Sequence, residues 1–157
     1  MRILKSGQTI QTVEISTIAH ATDDLDKVQA VLKRLIPDTL KGRQLFTRQY
    51  LQGHYGNPII TFEARLTKTS EIDEFTTFFL SQLSEKDKLA IQRDLRLYSD
   101  ADGNLYIRID KQQAFRGIVQ LGEEDSIRVR MKFTRFTGQA TNLMIKYLES
   151  EQNCRIL

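Results

Sequence analysis

Hydrophobic and polar positions along the chain fall into two rhythms, one of period two and one of period three to four. Residues 12–20, Thr-Val-Glu-Ile-Ser-Thr-Ile-Ala-His, alternate and predict a first strand. Leu25, Val28, Val31, Leu32 and Leu35 then form one helical stripe, which Pro37 ends. Thr22 or Asp23 is positioned to cap that helix, and Asp23, Asp24 and Asp26 lie at its positive N-terminal end. The acidic run is therefore a helix start and not a metal site. Residues 43–52 and 59–66 predict two strands around Gly53-His54-Tyr55-Gly56-Asn57-Pro58, whose two Gly, Asn and Pro signal a turn. Ser70-x-x-Asp73 opens a helix buried through Ile72, Phe75, Phe79 and Leu83, and Ser84-x-x-Asp87 opens another carrying Leu89, Ile91 and Leu95. Asp100-Ala-Asp102-Gly103-Asn104 is a turn. Leu105, Ile107 and Ile109 alternate with Tyr106, Arg108 and Asp110 in a strand, and Lys111 to Leu121 reads as a helix. Ile127, Val129, Met131 and Phe133 alternate with Arg128, Arg130 and Lys132, and a last amphipathic helix covers about residues 139–150.

The order β-α-β-β-α-α-β-α-β-α makes this an α+β chain. Its pattern is that of a two-layer sandwich, a mostly antiparallel sheet of about five strands with helices on one face. No repeat, linker or break in composition divides the chain, so residues 1–157 read as one domain, with 151–157 a loose tail. The second sheet face would show part of the set Phe46, Arg48, Tyr50, Arg65, Tyr106, Arg108, Arg128, Arg130 and Lys132.

Composition adds little until its distribution is considered. The 157 residues are 40% hydrophobic and 27% charged, ordinary for a globular protein and unlike a disordered or collagen-like one. The net charge is +3. Residues 39–62 hold Lys41, Arg43 and Arg48 with no acid, and residues 126–146 hold Arg128, Arg130, Lys132, Arg135 and Lys146 with no acid. A fold that joined the two windows would be electropositive on one side. No apolar run approaches a membrane span, the first residues are too polar for a secretory signal, and the single Cys154 has no internal partner. These features point to a cytoplasmic protein.

Catalytic and metal chemistry find little support. No Gly-x-Ser-x-Gly elbow is present. His20, His54 and Cys154 have no metal-ligand spacing, and no cofactor is implied. Gly53-His54-Tyr55-Gly56 matches a loop that clamps nucleotides between two helices, but here it lies between two strands and reads as a hairpin turn. What remains is a basic sheet face with aromatic neighbours. Phe46-x-Arg48-x-Tyr50 can stack bases while its guanidinium meets phosphate. Arg128, Arg130 and Lys132 recur about every 7 Å along one side of a strand. Two readings stay open: a nucleic-acid face, or aromatics packed under a helix with the cations as a solvated edge.

At Gly53-His54-Tyr55-Gly56-Asn57-Pro58-Ile59 and Leu105-Tyr106-Ile107-Arg108-Ile109-Asp110-Lys111-Gln112, the chain resembles an archaeal family of small predicted RNA-binding or exosome-associated proteins, known as a domain of unknown function. The resemblance covers about residues 12–133. It implies an α+β fold like that of a large-subunit ribosomal protein, RNA as the ligand and no established catalytic residue. It points to Gly53, His54, Gly56, Asn57, Pro58, Arg108, Asp110, Lys111 and Gln112. His54 and Lys111 are offered as phosphate or base contacts, and Asn57, Pro58 and Asp110 as turn and cap residues.

The combined expectation is a non-catalytic RNA-binding protein acting in RNA processing, with Arg43, Arg48, His54, Arg108, Lys111, Arg128, Arg130 and Lys132 as the RNA-binding set. The alternative is a protein-interaction module or a homo-oligomer such as a dimer, whose strand 126–134 adds to a partner's sheet or whose helix 139–150 packs across a two-fold axis. A protein of the RNA-processing machinery is a possible partner under the first reading.

Overall fold

The computed structural model describes residues 10–42 and 44–133. Arg43, the helix expected over 139–150, the tail 151–157 and Cys154 lie outside the described residues. The described chain runs β1 (Ile10–Ala19), α1 (Leu25–Arg34), α2 (Asp38–Lys41), β2 (Thr47–Gln52), β3 (Pro58–Leu66), α3 (Thr69–Gln82) and α4 (Glu85–Arg93). A 3-10 turn (Leu95–Tyr98) then leads to β4 (Asn104–Asp110), α5 (Lys111–Phe115) and β5 (Ser126–Phe133). The five strands form one antiparallel sheet in the order β2-β3-β1-β5-β4. It is an α+β two-layer arrangement, as the hydrophobic pattern requires.

Period-two alternation gives the sheet two unlike faces. Val13, Ile15, Phe62, Ala64, Leu66, Leu105, Ile107, Ile109, Ile127, Val129, Met131 and Phe133 are buried against the helices. The stripe of α1 (Val28, Val31, Leu32) and that of α3 (Ile72, Phe75, Phe79, Leu80) close the same core, with Phe75 stacked on Phe79 at 5.5 Å. Each large buried side chain stabilises the fold by about 1.5–3 kcal/mol, so the face assignment of the central strands is fixed by energy and not by loop geometry.

Several local expectations shift. Asp24 is the N-cap of α1, accepting from Asp26 N, while Asp23 turns inward to Lys111. Helix α3 starts two residues early, with Lys68 as an N-cap that makes no side-chain bond, so Ser70 caps nothing. Ser84 does cap α4, accepting from Asp87 N at 3.1 Å, but Leu89 is exposed. Helix α5 stops at Phe115, where Gly117 at φ +82° turns the chain away. The return segment then lies along the edge of β4: Asp110 N donates to Gln120 O and Gly122 N to Arg108 O. Gly122 is required there, because a Cβ would stand 2.7 Å from Asp110 Cβ and 2.8 Å from Asp110 Cα.

Strand order also corrects two larger expectations. The basic windows are not joined, because β3 and β1 separate β2 from β5. Strand β5 lies inside the sheet, hydrogen-bonded on both sides, so it cannot add to a partner's edge. Among the described residues the open edge belongs to β2, all six of whose residues are exposed.

Candidate nucleic-acid interface

The face of the sheet away from the helices is built in rows by the strand register, since residues directly opposed in an antiparallel pair share a face. One row runs Tyr106, Arg130, Glu14, Arg65. The next runs Arg108, Arg128, Ser16, Glu63, Thr47. Lys132 lies on the other side of the Tyr106–Arg130 row, opposite Asn104 and Thr12 and two rows from Arg128.

The cations on these rows have different partners. Arg130 is half-buried and donates to Glu14 Oε2 at 3.2 Å, with Arg65 4.0 Å from the other oxygen of that carboxylate. Arg130 and Arg128 both lie over the ring of Tyr106, at 5.7 and 5.9 Å. Burial, then the bond its hydroxyl donates to Asp100, raise the Tyr106 phenol above its ordinary pKa against the pull of both arginines, which keeps the ring neutral. Arg108 and Arg128 are directly opposed like charges, both exposed, and neither has an ion pair among the described residues. Lys132 is likewise exposed without one.

Directly opposed like charges destabilise a strand pair. At a separation of about 6 Å the repulsion is about 0.7 kcal/mol in water and about 3 kcal/mol at an effective dielectric of 20. An anion between the two guanidinia reverses its sign through charge-assisted hydrogen bonds. The pair borders a shallow depression of about 450 Å³ lined also by Ser16, His20, Thr61, Glu63, Asp125 and Ser126. The Thr61 hydroxyl there is buried without a hydrogen-bond partner.

His20 also lines a second depression, of about 270 Å³, formed with Gly53, His54, Tyr55, Asn57 and Pro58. The loop is a tight turn in which Gly53 N donates to Asn57 O at 2.7 Å and Gly56 N to Gly53 O at 2.9 Å. His54 meets Tyr55 edge-on at 5.4 Å, and Tyr55 is 89% exposed. The loop and the arginine pair therefore lie at the same end of the sheet, linked through His20.

Two members of the set drawn from sequence sit elsewhere. Arg48 is opposed to Phe62, a core residue, so it points to the helix side, with its guanidinium 5.3 Å from the Phe62 ring centre. Tyr50, opposed to Ile60, shares that side. Lys111 has no exposed side-chain surface. Its ammonium donates to Ile18 O (2.7 Å) and Asp23 Oδ2 (2.9 Å) and lies 2.6 Å from Asp125 Oδ1. That accounts for all three hydrogens and leaves none for a ligand. Burial pushes the Asp23 carboxyl up, but the bonds from Lys111 and from His20 N, with the charges of both residues, outweigh it and hold Asp23 below the ordinary range. Asp125 has φ +38°, an uncommon conformation away from Gly, and also accepts from Gln112 Nε2 and lies 3.7 Å from His20 Nε2. Asp110 caps α5, accepting from Gln113 N at 3.0 Å.

Ser16, His20, Thr61, Glu63 and Asp125 were absent from that set. The parity of β1 was a usable signal, since Ser16 and Ile18 must face away from Val13, Ile15 and Thr17. Nothing local marks Thr61 or Glu63, which reach the depression only through the pairing of β3. Among the described residues no group of three or more His, Cys, Asp or Glu side chains is arranged to hold a metal, and no helix is long and apolar enough to cross a membrane.

The class of fold is an antiparallel α+β sheet that, among the described residues, carries helices on one face and the arginines Arg108 and Arg128 without ion pairs on the other. Residues 12–133 match the family described as RNA binding, and the chain belongs to that family. It is 33% identical over 126 residues to the RNA-binding protein PAB1135 of Pyrococcus abyssi, covering 79% of this chain and 82% of that one. Among solved structures, protein AF2318 from Archaeglobus fulgidus, assigned to DUF54, is 31% identical with a TM-score of 0.73, covering 91% of this chain and 99% of that one. Protein SSO0741 from Sulfolobus solfataricus, also DUF54, shares the fold with a TM-score of 0.74 at 23% identity, covering 92% and 98%.

Proposed function

We propose that this is a non-catalytic RNA-binding protein whose sheet face away from the described helices holds the phosphate backbone. The observation that carries the reading is the directly opposed, exposed pair Arg108 and Arg128, which has no acidic partner among the described residues and is completed by an anion. Membership of the RNA-binding family supports RNA as that anion. Lys132 adds a cation two rows from Arg128, Arg130 between them contributes less because Glu14 already balances it, and the His54–Tyr55 loop offers a ring pair for an adjacent base. Lys111 and Arg48 are left out of the interface on the grounds of burial and face. We extend the reading to RNA processing alongside an exosome in the cytoplasm, on the strength of the family resemblance.

Titrating labelled single-stranded and hairpin RNA into isotope-labelled protein tests the reading. Amide shifts should concentrate at Ser16, Glu63, Arg108 and Arg128. No binding at low salt, or shifts confined to α1 and α3, would contradict it. A second reading rests on the open edge of β2, where Tyr50 (71%) and Leu51 (52%) are exposed: that edge pairs with another protein chain. Light scattering decides its self-association form, since a strict monomer at high concentration rules it out.

A further inference from the structure

We propose that Glu63 reads the ribose 2′-hydroxyl, so that the arginine depression selects RNA over DNA of the same sequence. This inference rests on the phosphate-binding reading of Arg108 and Arg128. Two carboxylates line the depression, and they differ. Asp125 is engaged by Lys111 and Gln112. Glu63 is exposed on the open face, and among the described residues its carboxylate has no ion pair and no hydrogen bond. Arg65, two residues along the same strand, is oriented to Glu14 instead. Thr47 Oγ1 donates to the main-chain oxygen of Glu63 at 3.3 Å and leaves the carboxylate untouched.

A free carboxylate beside a phosphate cradle works against a ligand that offers phosphate alone. An ionised carboxylate only accepts hydrogen bonds, so its favourable partner is a donor carried next to the phosphate. In nucleic acid that donor is the 2′-hydroxyl, present in RNA and absent from DNA. The spacing suits it. Glu63 lies two strands from Arg128 in the same row, with Ser16 between them, or about 10 Å at the main chain, and all three line the one depression. A phosphate between Arg108 and Arg128 then leaves its sugar above Ser16, with the 2′-oxygen toward Glu63. The partnerless Thr61 hydroxyl in the same depression is a further polar contact for the sugar.

The test is anisotropy binding of three labelled single strands of one sequence: RNA, DNA and 2′-O-methyl RNA, which keeps the 2′-oxygen but loses its proton. The protein should bind RNA about tenfold more tightly than either of the others, as one added hydrogen bond of about 1.4 kcal/mol gives. Glu63→Ala should bring the three to within about twofold, mainly by weakening RNA, while the salt slope stays the same. Glu63→Gln, which keeps an acceptor, should restore part of the preference. Equal binding of RNA and DNA by the unaltered protein, or a preference that survives Glu63→Ala, overturns the role of Glu63 and leaves the phosphate reading standing. Failure to bind any strand at low salt overturns both.

Discussion

Lys111 and Arg108 stand three residues apart at the same end of the sheet, yet their surroundings are opposite. The lysine is sealed against a carbonyl and two carboxylates, and it ties together the loop after β1, the start of α5 and the approach to β5. The arginine faces another arginine across a strand pair and meets solvent. One cation holds the scaffold; the other is left for something outside it. Positive charge alone does not mark a binding surface: the count of partners already present separates the two cases.

Substitutions can sharpen or break that contrast. The largest effect belongs to Lys111→Met, which leaves Asp23 and Asp125 without their buried counter-charge and should cost about 3–5 kcal/mol in urea unfolding. A stable Lys111→Met protein with weakened RNA binding would move Lys111 into the interface. Gly122→Ala, pressing a Cβ into Asp110, should lower stability by about 1–3 kcal/mol by the same measurement. Arg108→Ala with Arg128→Ala should leave stability unchanged or slightly higher, because like charges are removed, while RNA affinity falls by about 10–100-fold at low salt.

A pH series adds a further contrast. Asp23 and Asp100 both have folded-state pKa values below the ordinary one. For Asp100, burial raises the value, but bonds from the Asn104 side chain and backbone, the Tyr106 hydroxyl and Asp102 N outweigh it. Depressed carboxyls contribute stability that is full above the unfolded value of about 3.9 and lost as pH falls through the folded values. The urea midpoint should therefore hold from pH 7 to about 5 and drop below about 4, with a smaller drop in Asp100→Asn. The smallest effect is predicted for Arg48→Ala. It loses a cation–π contact of up to about 1 kcal/mol and should shift RNA affinity by less than about twofold.

Much of the fold was legible because alternation and helical stripes report burial directly. The strands Leu105–Ile109 and Ile127–Phe133 and the stripe of α1 needed no tertiary information. Parity says which residues share a face, but not which face they share. Phe46, Arg48 and Tyr50 were rightly grouped, yet the pairing of β2 with β3 turns Arg48 toward Phe62 and the helices. Lys111 was unreadable for a related reason: two of its three partners, Ile18 and Asp23, lie 93 and 88 residues away. Glu63 and Thr61 reach the arginine depression only through strand order, which short-range pattern does not encode. The short length of α5 was signalled by Gly117, within a stretch that otherwise reads as helical.

Whether Arg108 and Arg128 hold phosphate is read most directly from the dependence of RNA affinity on salt concentration for the unaltered protein and for the double Arg108→Ala, Arg128→Ala variant. With about 0.7 in logarithmic slope for each phosphate contact on a single strand, the variant's line should be shallower by about 0.7, because the two arginines share one phosphate. Two parallel lines would mean that neither arginine touches phosphate, and the open face would then be a solvated surface.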